Sequence, residues 1–332
     1  MKVLLLGASG LLGHNVLSRL VAEGHQVVAL VRRPGSIRLQ HDGFEVVTGS
    51  PLDYPTLCRA AERCEAVINC AGATDMSMLR YGDFLPVNRD LCSLLVRLLE
   101  EHEISTLVHT STVNTIGYGN PGQPADESAA MSEPFKGSYY ADSKREGEEI
   151  VLSAAGRWPD RHIVVINPGY MIGPMDVKPS SGRMLLAAYR RRLMLAPKGG
   201  KCFVHVGDVA QAVVNALTRG LNGSRYIVVG DDGCHTIKEL YQIQASVMGY
   251  HQRVLAMPNW LLYVAGGIGD AIRALGIRTE LSTRNVKQLM VGEYYSNHHA
   301  INDLKINSTP LVEAIKDFYQ WREKEQSASV CH

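Results

Sequence analysis

The sequence of 332 residues predicts an α/β fold built on a doubly wound parallel sheet. Short apolar runs alternate with helical patterns along the first half of the chain, and such alternation implies crossovers between parallel strands. The first run, residues 2–6, leads into a glycine-rich turn and then a helical pattern. Later strands are predicted over residues 26–31, 44–48, 66–69 and 163–166. The length also leaves room for a second, smaller lobe.

The turn after the first strand carries three glycines in the spacing G-x-x-G-x-x-G. Gly7 permits the tight turn, Gly10 lets the backbone approach a pyrophosphate, and Gly13 lets the helix pack closely on the strand. The helix N-terminus then faces the phosphates. We therefore predict a Rossmann-type dinucleotide site, with an ordinary glycine-rich turn as the alternative. The residues between the glycines belong to the predicted site: Ser9, Leu11 and Leu12.

Two arginines follow the second predicted strand, where the choice between NAD and NADP is made. Enzymes of this design that prefer NAD place an acidic residue there to bind the adenosine ribose hydroxyls. Here the position is Val31, and Arg32 and Arg33 can instead receive a ribose 2′-phosphate through charge-assisted hydrogen bonds. We predict that NADP(H) is preferred and that NAD(H) is the alternative cofactor. The competing interpretation is that both arginines are solvated surface charges.

Small residues end the fourth predicted strand, and a leucine-rich helix follows. Ala71, Gly72 and Ala73 lie at the carboxyl end of that strand, where a dinucleotide would cross the sheet. The helix is predicted from about Phe84 to His102 and carries one apolar stripe. The stripe consists of Val87, Leu91, Leu94, Leu95, Leu98 and Leu99.

Tyr140 and Lys144 form the pattern with the clearest chemical meaning. A spacing of four residues puts both side chains on one helix face. The ammonium group can stabilise a phenolate and so lower the pKa of the phenol, which gives a proton donor and acceptor suited to carbonyl reduction or alcohol oxidation. Taken alone, a tyrosine and a lysine at this spacing are more often an exposed neighbour pair. The predicted nucleotide loop that precedes them favours the catalytic interpretation.

Composition limits the classes of partner and compartment. The net charge of +1 carries no signature of nucleic-acid or anionic-membrane binding, so a small-molecule substrate is expected. Seven scattered cysteines without metal-ligand spacing predict no metal site and reduced thiols, and hence a cytoplasmic protein. The most apolar stretch, residues 260–269, is too short to span a bilayer and is predicted to be a buried or substrate-lobe helix.

Taken together, these motifs resemble the extended short-chain dehydrogenase/reductase family, and within it the branch of dihydroflavonol-4-reductases and 3β-hydroxysteroid dehydrogenases. The resemblance covers nearly the whole chain. The motifs occur in the family's order: Gly7/Gly10/Gly13, residues 69–72, Val87-Asn88, residues 109–112 with Gly117, Tyr140/Lys144, residues 167–169 with Gly173-Pro174, and residues 204–210.

The resemblance implies a role for each of several residues. Thr112 lies five residues before Gly117 and takes the place of the family's catalytic Ser or Thr. Tyr140 takes the proton-transfer role, and Lys144 binds the nicotinamide ribose. Further cofactor contacts are implied at Ser50, Asn88, Thr110 and Pro168. The resemblance also implies a homodimer formed through the leucine-striped helix and the helix that bears Tyr140.

The chain departs from the family after the third strand, where Gly49-Ser50-Pro51 replaces the usual Gly-Asp-Leu. Ser50 can still form a hydrogen bond, but Pro51 has no N–H to offer to the adenine. Gly207 likewise replaces the usual aspartate before Asp208. These changes leave every catalytic group in place.

We expect an NADP(H)-dependent oxidoreductase that reduces a ketone or aldehyde, or oxidises the alcohol, of a small and partly apolar molecule. The alternatives are an NAD-dependent nucleotide-sugar epimerase or dehydratase, a steroid- or hopanoid-type hydroxy dehydrogenase/isomerase, and a non-catalytic NADP(H)-binding sensor. The dinucleotide-binding domain is predicted over residues 1–169 and about 203–232. The substrate lobe is predicted over about 170–202 and 233–324, and residues 325–332 are predicted to be a mobile tail.

Overall fold

A central parallel sheet of seven strands organises the computed structural model, which describes residues 1–39, 43–177 and 179–330. The strand order is β10-β6-β5-β4-β1-β2-β3. The seven strands are β1 Lys2–Leu6, β2 Gln26–Val31, β3 Phe44–Thr48, β4 Ala66–Asn69, β5 Thr106–Thr110, β6 His162–Pro168 and β10 Arg225–Val228. Five of them match the strands predicted from the sequence to within two residues.

The central strands are apolar along their whole length because helices cover both faces of the sheet. On one face, Val16, Leu17 and Leu20 of α1 pack with Val209 and Val213 of α6. On the other face, residues of α2, α3 and α4 form a second buried cluster with the strands. The prediction of a doubly wound α/β fold is therefore confirmed.

The helices of the described residues are bounded as follows: α1 Leu11–Ala22, α2 Tyr54–Ala60, α3 Leu91–Glu101, α4 Tyr139–Arg157, α5 Gly182–Ala188, α6 Val206–Asn215, α7 Ile237–Val247, α8 Asn259–Ala274, α9 Thr283–Lys287, α10 His298–Leu304 and α11 Leu311–Val330. Short 3₁₀ turns occur at Tyr81–Asp83 and Val113–Thr115.

The predicted helix from Phe84 to His102 is interrupted near its start. A π-helical turn, Pro86–Asp90, precedes the regular helix α3. Pro86 has no N–H to join an α-helical ladder, which accounts for the irregular first turn. The stripe residues Leu91, Leu95 and Leu98 are fully buried against the sheet. They therefore belong to the chain's own core, and the homodimer through this helix stays a prediction.

Five further strands form two small sheets beside the main one. One sheet has the order β11-β9-β7, with β7 Tyr170–Ile172, β9 Gly200–His205 and β11 Cys234–Thr236. The other pairs β8 Leu193–Ala196 with β12 Arg253–Ala256. The sequence assigns residues from about 203 onward to the nucleotide-binding domain. In the structure, β9 pairs with β7 and β11 outside the main sheet, and the domain division stays a prediction.

A disulfide joins Cys202 to Cys234. The two residues are direct partners in the antiparallel pairing of β9 with β11. The prediction that the thiols are reduced is wrong for this pair, because folding brings together two cysteines that lie 32 residues apart in sequence. Four other cysteines of the described residues are free: Cys58, Cys64, Cys70 and Cys92. Cys331 lies outside the described residues.

The C-terminal part differs from expectation in two places. Helix α11 continues to Val330, and Glu325 forms an ion pair with Arg38, whereas the sequence predicts a mobile tail over residues 325–332. Helix α8 contains the apolar stretch 260–269, but Trp260, Val264 and Ile268 of this helix are exposed rather than buried. Among the helices of the described residues, none has the length and apolarity to cross a membrane.

Candidate dinucleotide and catalytic site

The glycine loop between β1 and α1 has the geometry of a phosphate cradle. Gly7 has a φ of +81°, and a Cβ at this position would stand 2.6 Å from the Ala71 nitrogen. A Cβ on Gly13 would overlap the Gly7 backbone, whereas one on Gly10 would meet only the Gly7 oxygen, at 3.4 Å. Gly7 and Gly13 are thus required by packing, and Gly10 faces open space before the α1 N-terminus. This cradle fits a dinucleotide pyrophosphate.

The different surroundings of Gly10 and Gly13 give a testable contrast. Gly10 has a φ of −91°, which an alanine adopts without strain, so Gly10→Ala should leave the free energy of unfolding within about 1 kcal/mol of wild type. The added methyl group should lower NADPH affinity about tenfold, because it occupies the approach to the helix N-terminus. Gly13→Ala should instead destabilise the fold by about 2 kcal/mol. Urea denaturation and nucleotide titration check both effects. Unchanged NADPH affinity in Gly10→Ala would contradict the cradle.

Arg32 and Arg33 are exposed immediately after β2, beyond the buried Val31. The first residue after β3, Gly49, donates its N–H to the Val31 carbonyl and keeps the two strand ends together. Ser50 is exposed beside them, and its hydroxyl accepts a hydrogen bond from the Leu52 N–H. The structure thus brings the predicted 2′-phosphate and adenine residues to one edge of the sheet.

Ala71, Gly72 and Ala73 form a short loop that is tied to the catalytic helix. Asn88 accepts from the Ala73 N–H at 2.8 Å and donates to the Ala73 carbonyl at 3.0 Å and to the Ser143 hydroxyl at 2.9 Å. Both N–H donors of the buried Asn88 amide are therefore used within the protein. Asn88, for which the resemblance implies a cofactor contact, holds this loop against α4.

Lys144 is buried on α4 and points at the end of β5. Its Nζ donates to the Thr110 carbonyl at 2.6 Å. A Cβ on Gly72 would stand 4.0 Å from the same Nζ, so the ammonium lies where the 71–73 loop meets Thr110. Pro168 ends β6, a neighbour of β5 in the sheet. These predicted cofactor residues thus converge on the carboxyl ends of adjacent strands, as a dinucleotide site requires.

Thr112 and Tyr140 bring two hydroxyl groups together. Thr112 begins the 3₁₀ turn after β5, and its hydroxyl accepts from the Asn114 N–H at 3.3 Å. The same hydroxyl lies close enough to the Tyr140 hydroxyl to affect the pKa of that phenol. Burial raises the pKa of Tyr140 above its ordinary value, and the Thr112 hydroxyl lowers it in part. Burial also lowers the pKa of Lys144. The expectation that Lys144 depresses the Tyr140 pKa is corrected here, because burial dominates and the ammonium is directed at Thr110.

The buried carboxylate of Glu148, which the sequence analysis did not identify, contacts the residues that surround Thr112. Glu148 Oε2 accepts from the Thr115 hydroxyl at 2.8 Å and from the Asn167 amide at 2.9 Å. The Asn167 amide also donates to the Thr112 carbonyl at 3.0 Å. The Thr115 hydroxyl lies 2.8 Å from the same carbonyl, so its single proton is shared between that carbonyl and Glu148. Arg225 on β10 donates to Glu148 Oε1 at 2.9 Å.

This network connects the three elements that carry the site: α4, the Thr112 turn and the end of β6. Glu148 lies four residues after Lys144 and eight after Tyr140. The same helical spacing that reveals the Tyr140–Lys144 pair therefore places Glu148 on their face of α4, and this signal could have found it. Glu148 acts through Thr112 and Asn167 and is a positioning residue.

Helices α8 and α9 border the N-terminal end of α4. The Arg273 guanidinium donates to the carbonyl of Ser77 at 3.3 Å, which holds the segment after the 71–73 loop. Arg284 lies 3.7 Å from the ring centroid of Tyr139, the neighbour of Tyr140. A crevice of about 430 Å³ opens here. It is lined by Glu133, Pro134, Lys136, Gly137, Asp270, Thr283, Arg284 and Lys287.

Comparison with known proteins agrees with this geometry. The model of the NAD dependent epimerase/dehydratase family matches residues 3–230. A protein of Synechocystis named putative dihydroflavonol 4-reductase is 27% identical, over 95% of this chain and 92% of its own. Sterol demethylase protein B of Methylococcus capsulatus is 27% identical, over 97% and 98%. The crystal structure of gox2253 superposes with a TM-score of 0.81 at 25% identity, covering 98% of both chains.

The glycine cradle, the strand-end loop and the Thr112, Tyr140 and Lys144 cluster all lie within the residues that match the family model. The chain is a member of the NAD dependent epimerase/dehydratase family, within the extended short-chain dehydrogenases/reductases, and is an NAD(P)-dependent oxidoreductase.

Proposed function

We propose that the protein is an NADP(H)-dependent reductase of a ketone or aldehyde. The observation that carries the proposal is the meeting of Thr112, Tyr140 and Lys144 at the carboxyl end of β5, where Lys144 donates to the Thr110 carbonyl and Thr112 lies close enough to the Tyr140 hydroxyl to affect its pKa. Two hydroxyl donors directed at one point can hold and protonate a carbonyl oxygen. A protein that only senses NADP(H) has no need of this pair. The reaction class is tested by NADPH consumption with a panel of ketones and aldehydes.

Each residue has a defined part in the proposed reaction. Gly7, Gly10 and Gly13 hold the pyrophosphate at the α1 N-terminus, and Lys144 holds the nicotinamide ribose. When bound, NADPH supplies the hydride. Thr112 donates a hydrogen bond to the carbonyl oxygen, and Tyr140 transfers its phenolic proton to that oxygen as the alcohol forms. The raised pKa of Tyr140 keeps the phenol protonated at neutral pH, which favours the direction of reduction.

Arg32 and Arg33 support the choice of NADP(H). Both are exposed at the end of β2, where an NAD-preferring site would have a carboxylate to bind the ribose hydroxyls. We expect the double variant Arg32→Ala/Arg33→Ala to lose about a hundredfold in NADPH affinity, since two charge-assisted hydrogen bonds are removed. NADH affinity should stay within about threefold of wild type.

Titration of the nucleotide-stripped protein with both cofactors measures these affinities. Arg97→Ala is the matched control, because Arg97 is an exposed arginine of α3 whose guanidinium pairs with Glu101 and lies over the Tyr54 ring. It should bind NADPH as wild type does. If the double variant binds NADPH as tightly as Arg97→Ala, the assignment of the 2′-phosphate site is wrong.

We further propose that the substrate is a largely apolar molecule. Three relatives that align over more than nine-tenths of the chain are named putative dihydroflavonol 4-reductase, sterol demethylase protein B and 2-alkyl-3-oxoalkanoate reductase. The first two names refer to polycyclic compounds with extensive apolar surface. A comparison of cyclic apolar ketones with short polar aldehydes of equal reactivity tests this proposal through kcat/KM.

A nucleotide-sugar epimerase is the second candidate function, and the crevice beside Tyr139 favours it. Lys136, Arg284 and Lys287 line this crevice and could neutralise a diphosphate. Such an enzyme recycles one tightly held NAD. Nucleotide that resists stripping, together with interconversion of nucleotide sugars without net cofactor oxidation, would replace the reductase proposal.

A further inference from the structure

Residues 74–80, which we call the bridging loop, run from the strand-end loop 71–73 to the neighbourhood of helix α4. At one end they follow Ala73, whose N–H and carbonyl are both hydrogen-bonded to Asn88. At the other end they lead to Tyr81, whose ring centroid lies 5.8 Å from that of Tyr139 at the start of α4. The bridging loop therefore borders the site on the side of the α4 N-terminus.

The middle of the bridging loop is held by Arg273, which lies in the last turn of α8. The guanidinium donates to the carbonyls of three consecutive residues: Met76 at 3.4 Å, Ser77 at 3.3 Å, and Met78. It also donates to the Thr279 carbonyl at 2.7 Å, between α8 and α9. A guanidinium carries five N–H donors in a planar fork, which suits it to join several carbonyls. One side chain thus connects two segments that lie far apart in sequence.

A second side chain supports the same contact. Asn285 of α9 donates to the Met76 carbonyl at 3.2 Å and to the Glu280 carbonyl at 2.6 Å. Helices α8 and α9 pack closely, since a Cβ on Gly266 would stand 2.9 Å from the Thr283 Cα. Residues 74–80, all of which the structure describes, form a turn but no helix or strand. The position of the bridging loop therefore depends on bonds from α8 and α9 rather than on a ladder of its own.

We propose that Arg273 is a positioning residue that holds the bridging loop closed beside the nicotinamide end of the cofactor site. The Lys144 Nζ lies 4.0 Å from the position of a Cβ on Gly72, two residues before the bridging loop begins. A loop held there keeps water away from the reacting atoms, and a loop released from Arg273 opens as a flap. The inference rests on the assignment of Lys144 and Tyr140 to the nicotinamide end, which the reductase and the epimerase proposals share.

Hydrogen–deuterium exchange of the nucleotide-free protein tests whether Arg273 holds the bridging loop. Arg273→Gln should speed exchange in residues 74–80 at least about tenfold, because three hydrogen bonds from a charged donor are lost. Exchange in α1 should stay at the wild-type rate. Arg273→Lys keeps the charge but has only three donors, so its exchange rate should lie between those of Arg273→Gln and wild type. Asn285→Ala removes one tie and should give a smaller increase in the same residues.

Two outcomes of the exchange experiment overturn the proposal. One is an unchanged exchange rate of residues 74–80 in both Arg273→Gln and Asn285→Ala. The other is faster exchange throughout the chain in both variants, which would show that these side chains stabilise the fold as a whole and hold no flap.

Acrylamide quenching of the fluorescence of bound NADPH measures how well the nicotinamide is shielded, and NADH serves where it binds more tightly. The quenching constant should rise at least about threefold in Arg273→Gln, because the open flap admits the quencher. The dissociation constant of the cofactor should stay within about threefold of wild type, because the glycine cradle is untouched. Arg145→Gln is the matched control, because Arg145 pairs with Glu149 on the surface of α4.

A quenching constant in Arg273→Gln equal to that in Arg145→Gln overturns the proposal, even where exchange in residues 74–80 is faster. Product analysis with the ketone panel tests the reaction class separately. A protein that reduces no ketone but shows the expected exchange and quenching would refute the reductase assignment and retain the role of Arg273.

Discussion

Tyr140→Phe is expected to lower kcat for carbonyl reduction about a thousandfold, since the phenolic proton donor is lost while the ring remains. NADPH affinity should change by no more than about threefold, because the glycine cradle and Lys144 are untouched. The Thr112 hydroxyl would still bind the carbonyl oxygen, so the substrate KM should change little. Steady-state kinetics with the best ketone of the panel, together with NADPH titration, measure all three quantities.

Tyr139→Phe is the matched control, because Tyr139 is the preceding residue and stacks with Arg284 instead of facing Thr112. It should keep kcat within about threefold of wild type. Equal kcat values in the two variants would remove Tyr140 from the catalytic step.

The raised pKa of Tyr140 also predicts the pH dependence. Reduction needs the protonated phenol, so a pKa above the ordinary value of about 10 keeps kcat for reduction constant from neutral into alkaline pH. Alcohol oxidation needs the phenolate, and its rate should rise with pH throughout that range. A reduction rate that falls between pH 6 and 8, at roughly the pKa of an unperturbed histidine, would assign the acid to another group.

Glu148→Gln is expected to lower the free energy of unfolding by about 3 kcal/mol, since it breaks a buried ion pair. A glutamine has one acceptor oxygen, so it cannot serve both Arg225 and the pair formed by Thr115 and Asn167. The Thr112 turn should lose its fixed position, and kcat should fall about tenfold or more. NADPH affinity should be retained, because the network does not reach the glycine cradle. Urea denaturation and kinetics measure these effects.

Glu149→Gln provides the control, because Glu149 is the next residue of α4 and pairs at the surface with Arg145. Exposed helix pairs of this kind contribute about 0.5 kcal/mol or less. If Glu148 positions Thr112, Glu148→Asp, which keeps the negative charge, should have a higher kcat than Glu148→Gln. If Glu148→Gln matches Glu149→Gln in stability and rate, the network has no part in catalysis.

Local patterns predicted the nucleotide half of the fold and the residues of its loop. Strand β1, the three glycines and α1 follow one another within 22 residues, and each is marked by periodicity or by a backbone requirement. The pairing of Tyr140 with Lys144 is likewise a matter of helical spacing. Features that depend on neighbours in sequence were therefore accessible without a structure.

Features that depend on contacts between residues far apart in sequence could not be predicted from the sequence. Arg225 reaches Glu148 from a strand 77 residues away in sequence, and only the parallel pairing of β6 with β10 brings it there. The Cys202–Cys234 bond depends in the same way on the pairing of β9 with β11. The direction of the Tyr140 pKa shift depends on burial, which spacing does not reveal. Which face of helix α8 is packed was also hidden in the sequence, because that face is formed by Gly266 and Gly269 together with Leu262.

Transfer of label from NADPH carrying deuterium at the hydride position tests the central claim most directly. The stripped protein is incubated with labelled NADPH and the cyclic apolar ketones, and the products are analysed by mass spectrometry. We predict one deuterium in the product alcohol, stoichiometric formation of NADP, and loss of both in Tyr140→Phe. Unlabelled product with no net NADPH oxidation, or conversion of a nucleotide sugar on retained NAD, would contradict the assignment as a reductase.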